Sequence, residues 1–183
     1  MTQRKSARSS SRISRPELRA RARRVALVVT DVDGVLTDAG VYYSARGEEM
    51  KRFNVRDGMG VERLRNVGIA TAFLTRERSE CVAARAKKLR LSHVYLGVDD
   101  KLAHLEVILQ TTGLAAGQLA YIGDDVNDLG ILQAVGADGL TAAPSDAISA
   151  VRAAAIYACD AAGGHGAFRD FAEWILELRA EKG

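Results

Sequence analysis

The sequence predicts an α/β fold: a doubly wound, Rossmann-like parallel sheet to which a β-hairpin flap is added. Two observations point there. Apolar runs of four to six residues, VALVV among them, alternate with stretches of helical period. Strands covered by helices on both faces read as such runs. In one interval the alternation gives way to GVYYSARGEEMKRFNV, whose two arms flank a turn at Ala45-Arg46-Gly47.

VALVVTDVD, residues 25–33, is the first strand. The hairpin follows, with a Val-Tyr-Tyr arm and a returning arm through Met50, Phe53 and Val55. Residues 57–66 have the helical spacing Met59, Val61, Leu64, and Gly68 ends the run. IATAFLT is the second parallel strand, residues 79–89 form a helix, and HVYLG is a short third strand. A helix over 102–111 leads to QLAYIGDD, which carries the fourth strand into its loop. A short helix over 129–135, a small strand around 139–142, a helix over 145–153 and an edge strand at IYACD come next. After the loop GGHG, residues 167–180 form an amphipathic helix with Phe168, Phe171, Trp174, Ile175 and Leu178 inward.

At 183 residues, 48% hydrophobic and 27% charged, the chain suits one domain with a sizeable core. Its net charge of +3 is unevenly spread. Residues 1–24 hold nine Lys/Arg against Glu17, which leaves residues 25–183 with 17 basic and 22 acidic groups, a balance of −5. The Ser/Arg-rich segment 1–24 is read as a basic tail, disordered at least through Ser14, with a short helical turn in PELRARARR that has Pro16 at its first position, and 25–183 as the folded domain. No apolar run reaches the roughly 18–20 residues that span a bilayer. Cys81 and Cys159 lie far apart, outside any metal or nucleophile pattern. A cytoplasmic compartment is expected, with neither nucleic acid nor membrane as partner.

In such sheets ligands bind beyond the carboxyl ends of the strands. Asp31 and Asp33 follow the first strand, Thr75 the second, Lys101 the third, and Asp124, Asp125 and Asp128 the fourth. Several carboxylates on one rim repel unless a hard cation sits among them, and an all-oxygen donor set indicates Mg²⁺. Period two places Asp31 and Asp33 on one side of a strand, with Asp124 approaching from the neighbour as the third metal ligand and Asp125 and Asp128 in support. Lys101 and Thr75 suit phosphate oxygens. Together these imply phosphoryl transfer. Asp31 attacks phosphorus, Asp33 protonates the leaving alkoxide and then activates water, and Lys101 with the metal meets the developing charge.

DVDGVLTD, Thr75, Lys101 and GDDVND, in this order, resemble the four motifs of the haloacid dehalogenase superfamily of phosphatases. That superfamily usually covers its site with an inserted cap domain. Here about 36 residues separate Asp38 from Thr75, and between Lys101 and Asp124 there is room for one helix and one strand, so no cap domain is expected.

AGVYYSARGEEMKRFNVRDGMG and GGHGAFRD narrow the resemblance to the capless 3-deoxy-D-manno-octulosonate 8-phosphate phosphatases and their sialic-acid-type relatives. The likeness implies a Mg²⁺-dependent homotetramer whose subunits close one another's sites on a phosphorylated 2-keto-3-deoxy sugar acid. It implies substrate contacts from Asn54, Val55, Arg56, Asp57 and Gly58, with Arg85 pointing inward and Asp33 and Lys101 at the phosphate end. Arg169 and the GGHG loop are candidates for a neighbour's site.

Those phosphatases typically carry TGR where this chain has Thr75-Arg76-Glu77. Glu77 with Lys88 instead looks like the 2-keto-3-deoxynononate 9-phosphate phosphatases, where a Glu/Lys pair recognises the longer sugar acid. Eight- and nine-carbon substrates therefore both stand. So do two alternatives: a phosphatase of another small ester, and a non-catalytic, receiver-like Mg²⁺-binding module.

Overall fold

The computed structural model describes residues 13–181. Six parallel strands form the central sheet, in the order β5-β4-β1-β6-β7-β8. They are β1 (Leu27–Thr30), β4 (Ala70–Leu74), β5 (His93–Tyr95), β6 (Leu119–Ile122), β7 (Leu140–Ala143) and β8 (Tyr157–Ala158). The flap is a separate antiparallel pair, β2 (Tyr42–Ser44) and β3 (Gly47–Met50), with a register shift at Tyr42/Tyr43.

Each strand of the expected sheet is present, and helices cover both faces. On one side lie α2 (Val55–Arg65), α3 (Glu80–Lys88) and α7 (Ala167–Ala180); their buried residues join Val28, Phe73 and Ile122 in one cluster. On the other lie α4 (Lys101–Thr112), α5 (Leu129–Gly136) and α6 (Ser149–Ala154), packed on Leu27, Val29, Leu74 and Tyr121. Alternate residues of each strand feed opposite clusters, as the strand period requires.

Three local expectations change. Residues 1–12 of the expected tail lie outside the described residues, and the short helical turn expected at PELRARARR is a ten-residue helix, α1 (Arg15–Arg24). Leu18 and Ala22 pack it on the core, and arginine hydrogen bonds add anchors that its composition hides. Arg21 Nη1 donates to the carbonyls of Gly136 and Gly139 at 2.9 and 3.1 Å. Arg179 Nη1 donates to the carbonyls of Ala22, Arg23 and Val25 and so satisfies the open end of α1.

The helix expected over 145–153 starts only at Ser149. The Ser145 N–H is committed to the Ala161 carbonyl, and Asp146 Oδ1 accepts from Gly163 N. Residues 144–147 thus serve to pin the GGHG loop.

Finally, β1 stops at Thr30, so Asp31 and Asp33 sit in a turn and not on one face of a strand. Thr30 is level with Phe73 on one side and Ile122 on the other. The loops after β1, β4 and β6 therefore open side by side.

Candidate active site

That register brings Asp31, Thr75 and Asp124 to one rim. Asp31 N donates to the Ile122 carbonyl at 3.0 Å, which continues the β1–β6 ladder by one residue and fixes the aspartate's backbone. Its Oδ1 accepts from Val32 N at 2.7 Å, while Oδ2 lies 2.7 Å from Lys101 Nζ.

Lys101 is the first residue of α4, delivered inward because Asp100 caps the helix through Ala103 N. Its ammonium is fully buried between Asp31 Oδ2 and Asp128 Oδ1, each at 2.7 Å. Two of its three N–H donors are taken by these carboxylates. Asp128 also takes the Tyr121 hydroxyl at 2.5 Å on Oδ1 and the N–H groups of Asp124 and Asp125 on Oδ2. A carboxylate so fully engaged acts as a scaffold for the loop that presents Asp124.

Asp31, Asp124 and Asp128 each offer an oxygen within 4.8 Å of the others. Three carboxyl groups here face one ammonium, so ionising all three would leave two negative charges in excess. The strain is visible in the ionisation. Burial, reinforced by Asp128, pushes Asp31 well above the ordinary carboxylate range despite Lys101. Burial and the Asp128 charge push Asp124 up to about 7. Burial alone would lower Lys101, but its two carboxylates outweigh it and hold the ammonium above its usual value. The charge excess and the all-oxygen donors fit a hard divalent cation. The loop is shaped for that approach: Gly34 has φ +82°, and a Cβ there would lie 1.9 Å from Asp124 Oδ2.

The carboxylate trio differs from the expected one. Asp33 is absent from it, because Lys51 Nζ holds its Oδ1 at 2.5 Å. Asp125 instead turns its carboxylate to Val126 N at 2.7 Å. Lys51 and Tyr121 were not legible as site residues: a lysine in a hairpin arm and a tyrosine in a strand carry no local mark of their partners.

A cleft of about 280 Å³ lies above the cluster, lined by Asp31, Asp33, Ala39, Thr75, Arg76, Glu77, Asp124, Asp125, Val126 and Asn127. Thr75 Oγ1 accepts from Glu77 N at 3.1 Å, which ties the two residues at the rim.

The expected substrate residues divide. Glu77 lines this cleft, whereas Lys88 is exposed and lines a different hollow with Gly58 and Glu62. Glu77 precedes α3 and Lys88 is the last residue of that helix, so the two stand at its opposite ends. Asn54 caps α2 through Arg56 N and donates to the Gly164 carbonyl. Arg85 donates to the Asn54 carbonyl and sits over the Phe53 ring. Val55 and Arg56 are exposed. Asp57 is 2% exposed, and its Oδ1 accepts from Arg169 N. Within a single chain, Asn54 ties down the GGHG loop and Arg85 holds the Asn54 carbonyl, and neither residues 54–58 nor Arg85 line the cleft.

No family model matches the chain. Named relatives do. The 3-deoxy-D-manno-octulosonate 8-phosphate phosphatase KdsC of Yersinia pestis is 38% identical over 156 residues, 85% of this chain and 82% of that protein. The chain belongs to the 3-deoxy-D-manno-octulosonate 8-phosphate phosphatase family.

Solved members of that phosphatase family share the architecture. The Moraxella catarrhalis enzyme, crystallised with magnesium, phosphate and KDO, matches with a TM-score of 0.83 at 36% identity, covering 89% of this chain and 92% of its own. The cobalt-bound Haemophilus influenzae phosphatase matches with a TM-score of 0.82 at 36% identity, over 87% and 91%. A hydrolase from Legionella pneumophila, described as HAD superfamily subfamily III A, matches with a TM-score of 0.84. The family's phosphatase assignment agrees with the carboxylate and lysine cluster, and the superfamily with the parallel sheet.

Proposed function

We propose that this chain is a Mg²⁺-dependent phosphatase acting on a phosphorylated 2-keto-3-deoxy sugar acid, with the eight-carbon 3-deoxy-D-manno-octulosonate 8-phosphate as its substrate. The observation that carries the reading is Lys101, buried between Asp31 and Asp128 beside Asp124. The names of its relatives support the substrate. The nine-carbon alternative needs Glu77 and Lys88 in one pocket, and they line different ones.

Asp31 is the nucleophile. Its carboxylate oxygen attacks phosphorus as the ester oxygen leaves, and Asp33 gives that oxygen a proton. Lys101 and Thr75 hold the phosphate oxygens against Asp31. Asp33 then takes a proton from the water that cleaves the aspartyl-phosphate. Bound by Asp31 and Asp124, Mg²⁺ would supply the positive charge that lets an anionic nucleophile approach an anionic phosphate.

A homotetramer belongs to the same reading. Tyr42, Tyr43, Met50 and Val55 are 55%, 72%, 59% and 81% exposed along the hairpin and the start of α2, an apolar stripe that further copies would cover. Such packing would also bring the GGHG loop, Arg169 or residues 54–58 to an adjacent cleft. The cytoplasm is the compartment proposed, supported by the unpaired Cys81 and Cys159.

The test is phosphate release from eight- and nine-carbon 2-keto sugar acid phosphates with and without Mg²⁺. Mg²⁺-dependent turnover of the eight-carbon ester, lost in Asp31→Asn, is expected. Preference for neither sugar acid would reject the substrate and spare the chemistry. A monomer with full activity, measured by light scattering, would reject the shared site.

A further inference from the structure

We propose that Lys51 is a positioning residue for Asp33: it engages one carboxylate oxygen so that the other handles the proton. The inference rests on the phosphatase reading above.

Lys51 follows β3 on a surface hairpin, yet its side chain is only 1% exposed. Its ammonium lies 2.5 Å from Asp33 Oδ1 and 3.2 Å from Glu48 Oε2. Glu48 accepts in turn from the hydroxyl of Ser79, the residue that caps α3 through Val82 N. One ammonium thus joins the turn after β1, the flap and the start of a helix.

The donors on Asp33 are one-sided. Thr37 Oγ1 donates to Oδ1 at 3.4 Å, the same oxygen that Lys51 holds. Oδ2 is buried without a partner among the described residues, in a side chain that lines the cleft. A buried carboxylate oxygen left open is uncommon and marks a place for a ligand atom. With Oδ1 pinned, the carboxyl plane is set and Oδ2 becomes the working oxygen.

In the first step the P–O bond to Asp31 forms while the P–O bond to the alkyl group breaks. The electron pair stays on the alkyl oxygen, which takes the proton from Asp33 Oδ2. In the second, water oxygen bonds to phosphorus, its proton passes to the same Oδ2, and Asp31 leaves with its electron pair. Lys51 touches none of the reacting atoms. It acts through Asp33, where small misplacements cost rate steeply.

The test compares kcat/KM for an alkyl ester, the eight-carbon sugar acid phosphate, with that for p-nitrophenyl phosphate, whose phenolate departs without a proton. Lys51→Met should lower the alkyl value by about 10- to 100-fold and the aryl value by less than about threefold. Lys51→Arg should recover most of the alkyl loss. Adding Lys51→Met to Asp33→Asn should cost little beyond Asp33→Asn alone. The ratio of the two esters within one preparation is independent of how much protein is folded. Equal losses on both esters, or none, would overturn the role for Lys51 while leaving the phosphatase reading intact. Absence of wild-type turnover on either ester would overturn that reading itself.

Discussion

Asp57 Oδ1 accepts the backbone N–H of Arg169 at 3.0 Å, so a carboxylate on α2 caps the first turn of α7 across 112 residues of sequence. Gly166, at the N-cap of α7, has no side chain to do this itself. Removing a cap typically costs about 0.5–2 kcal/mol. Asp57→Ala should therefore lower the urea-unfolding free energy by about that amount and loosen the GGHG loop. Unchanged stability would show that α7 needs no tertiary cap.

The same residue makes stability depend on pH. Burial pushes Asp57 up to about 6, against the opposing pull of Arg169 and Arg85. A raised acid in the folded state contributes stability in full below its unfolded value near 4, and loses it as pH rises through about 6. Asp57→Asn should flatten the change in unfolding free energy between pH 4 and pH 7. A variant that keeps the wild-type pH slope would assign that slope to other groups.

Asp124 predicts how metal and protons compete. Pushed up to about 7 by burial and Asp128, it is partly protonated near neutrality in the metal-free protein. By the same sign, its contribution to stability fades as pH rises through about 7, where a cation should restore it. Mg²⁺ should raise Tm more at pH 8 than at pH 6, and calorimetry near pH 7 should show proton release on binding. Equal Mg²⁺ effects at both values would place the metal elsewhere.

Lys101→Met should abolish phosphatase activity and destabilise the protein by about 3–5 kcal/mol, since it leaves Asp31 and Asp128 buried without their cation. Chemical denaturation and a phosphate-release assay read the two effects separately. A stable Lys101→Met protein at pH 8 without Mg²⁺ would mean that the cluster is less charged than its geometry implies.

Gly34→Ala tests the shape of the loop. The backbone there has φ +82° and the new methyl would enter the space of the Asp124 carboxylate. The Mg²⁺ concentration for half-maximal activity should rise at least about tenfold, a loss on the scale of a displaced metal-ligand neighbour. Wild-type Mg²⁺ dependence in this variant would exclude Asp124 as a ligand.

Some of this was legible because it is local. Apolar runs bounded by turns locate each strand of the sheet, and a residue directly after a strand end goes wherever the strand goes. Asp31, Thr75 and Asp124 were found that way. What was misread depends on chain-distant partners. The helix expected from 145 starts at Ser149 because Ser145 N and Asp146 answer to residues 161 and 163. The α1 helix runs longer than the turn expected there because carbonyls of residues 136 and 139 and the side chain of Arg179 anchor it.

By itself, then, the sequence determined the sheet, the hairpin and the strand-end carboxylates Asp31 and Asp124, since strand ends follow from neighbouring residues. Tertiary structure alone decided which carboxylates cluster, that Lys51 turns inward to Asp33, and that Glu77 and Lys88 part company along α3. Pairing energies of that kind depend on distance and burial in three dimensions, and neither is a property of the chain's order.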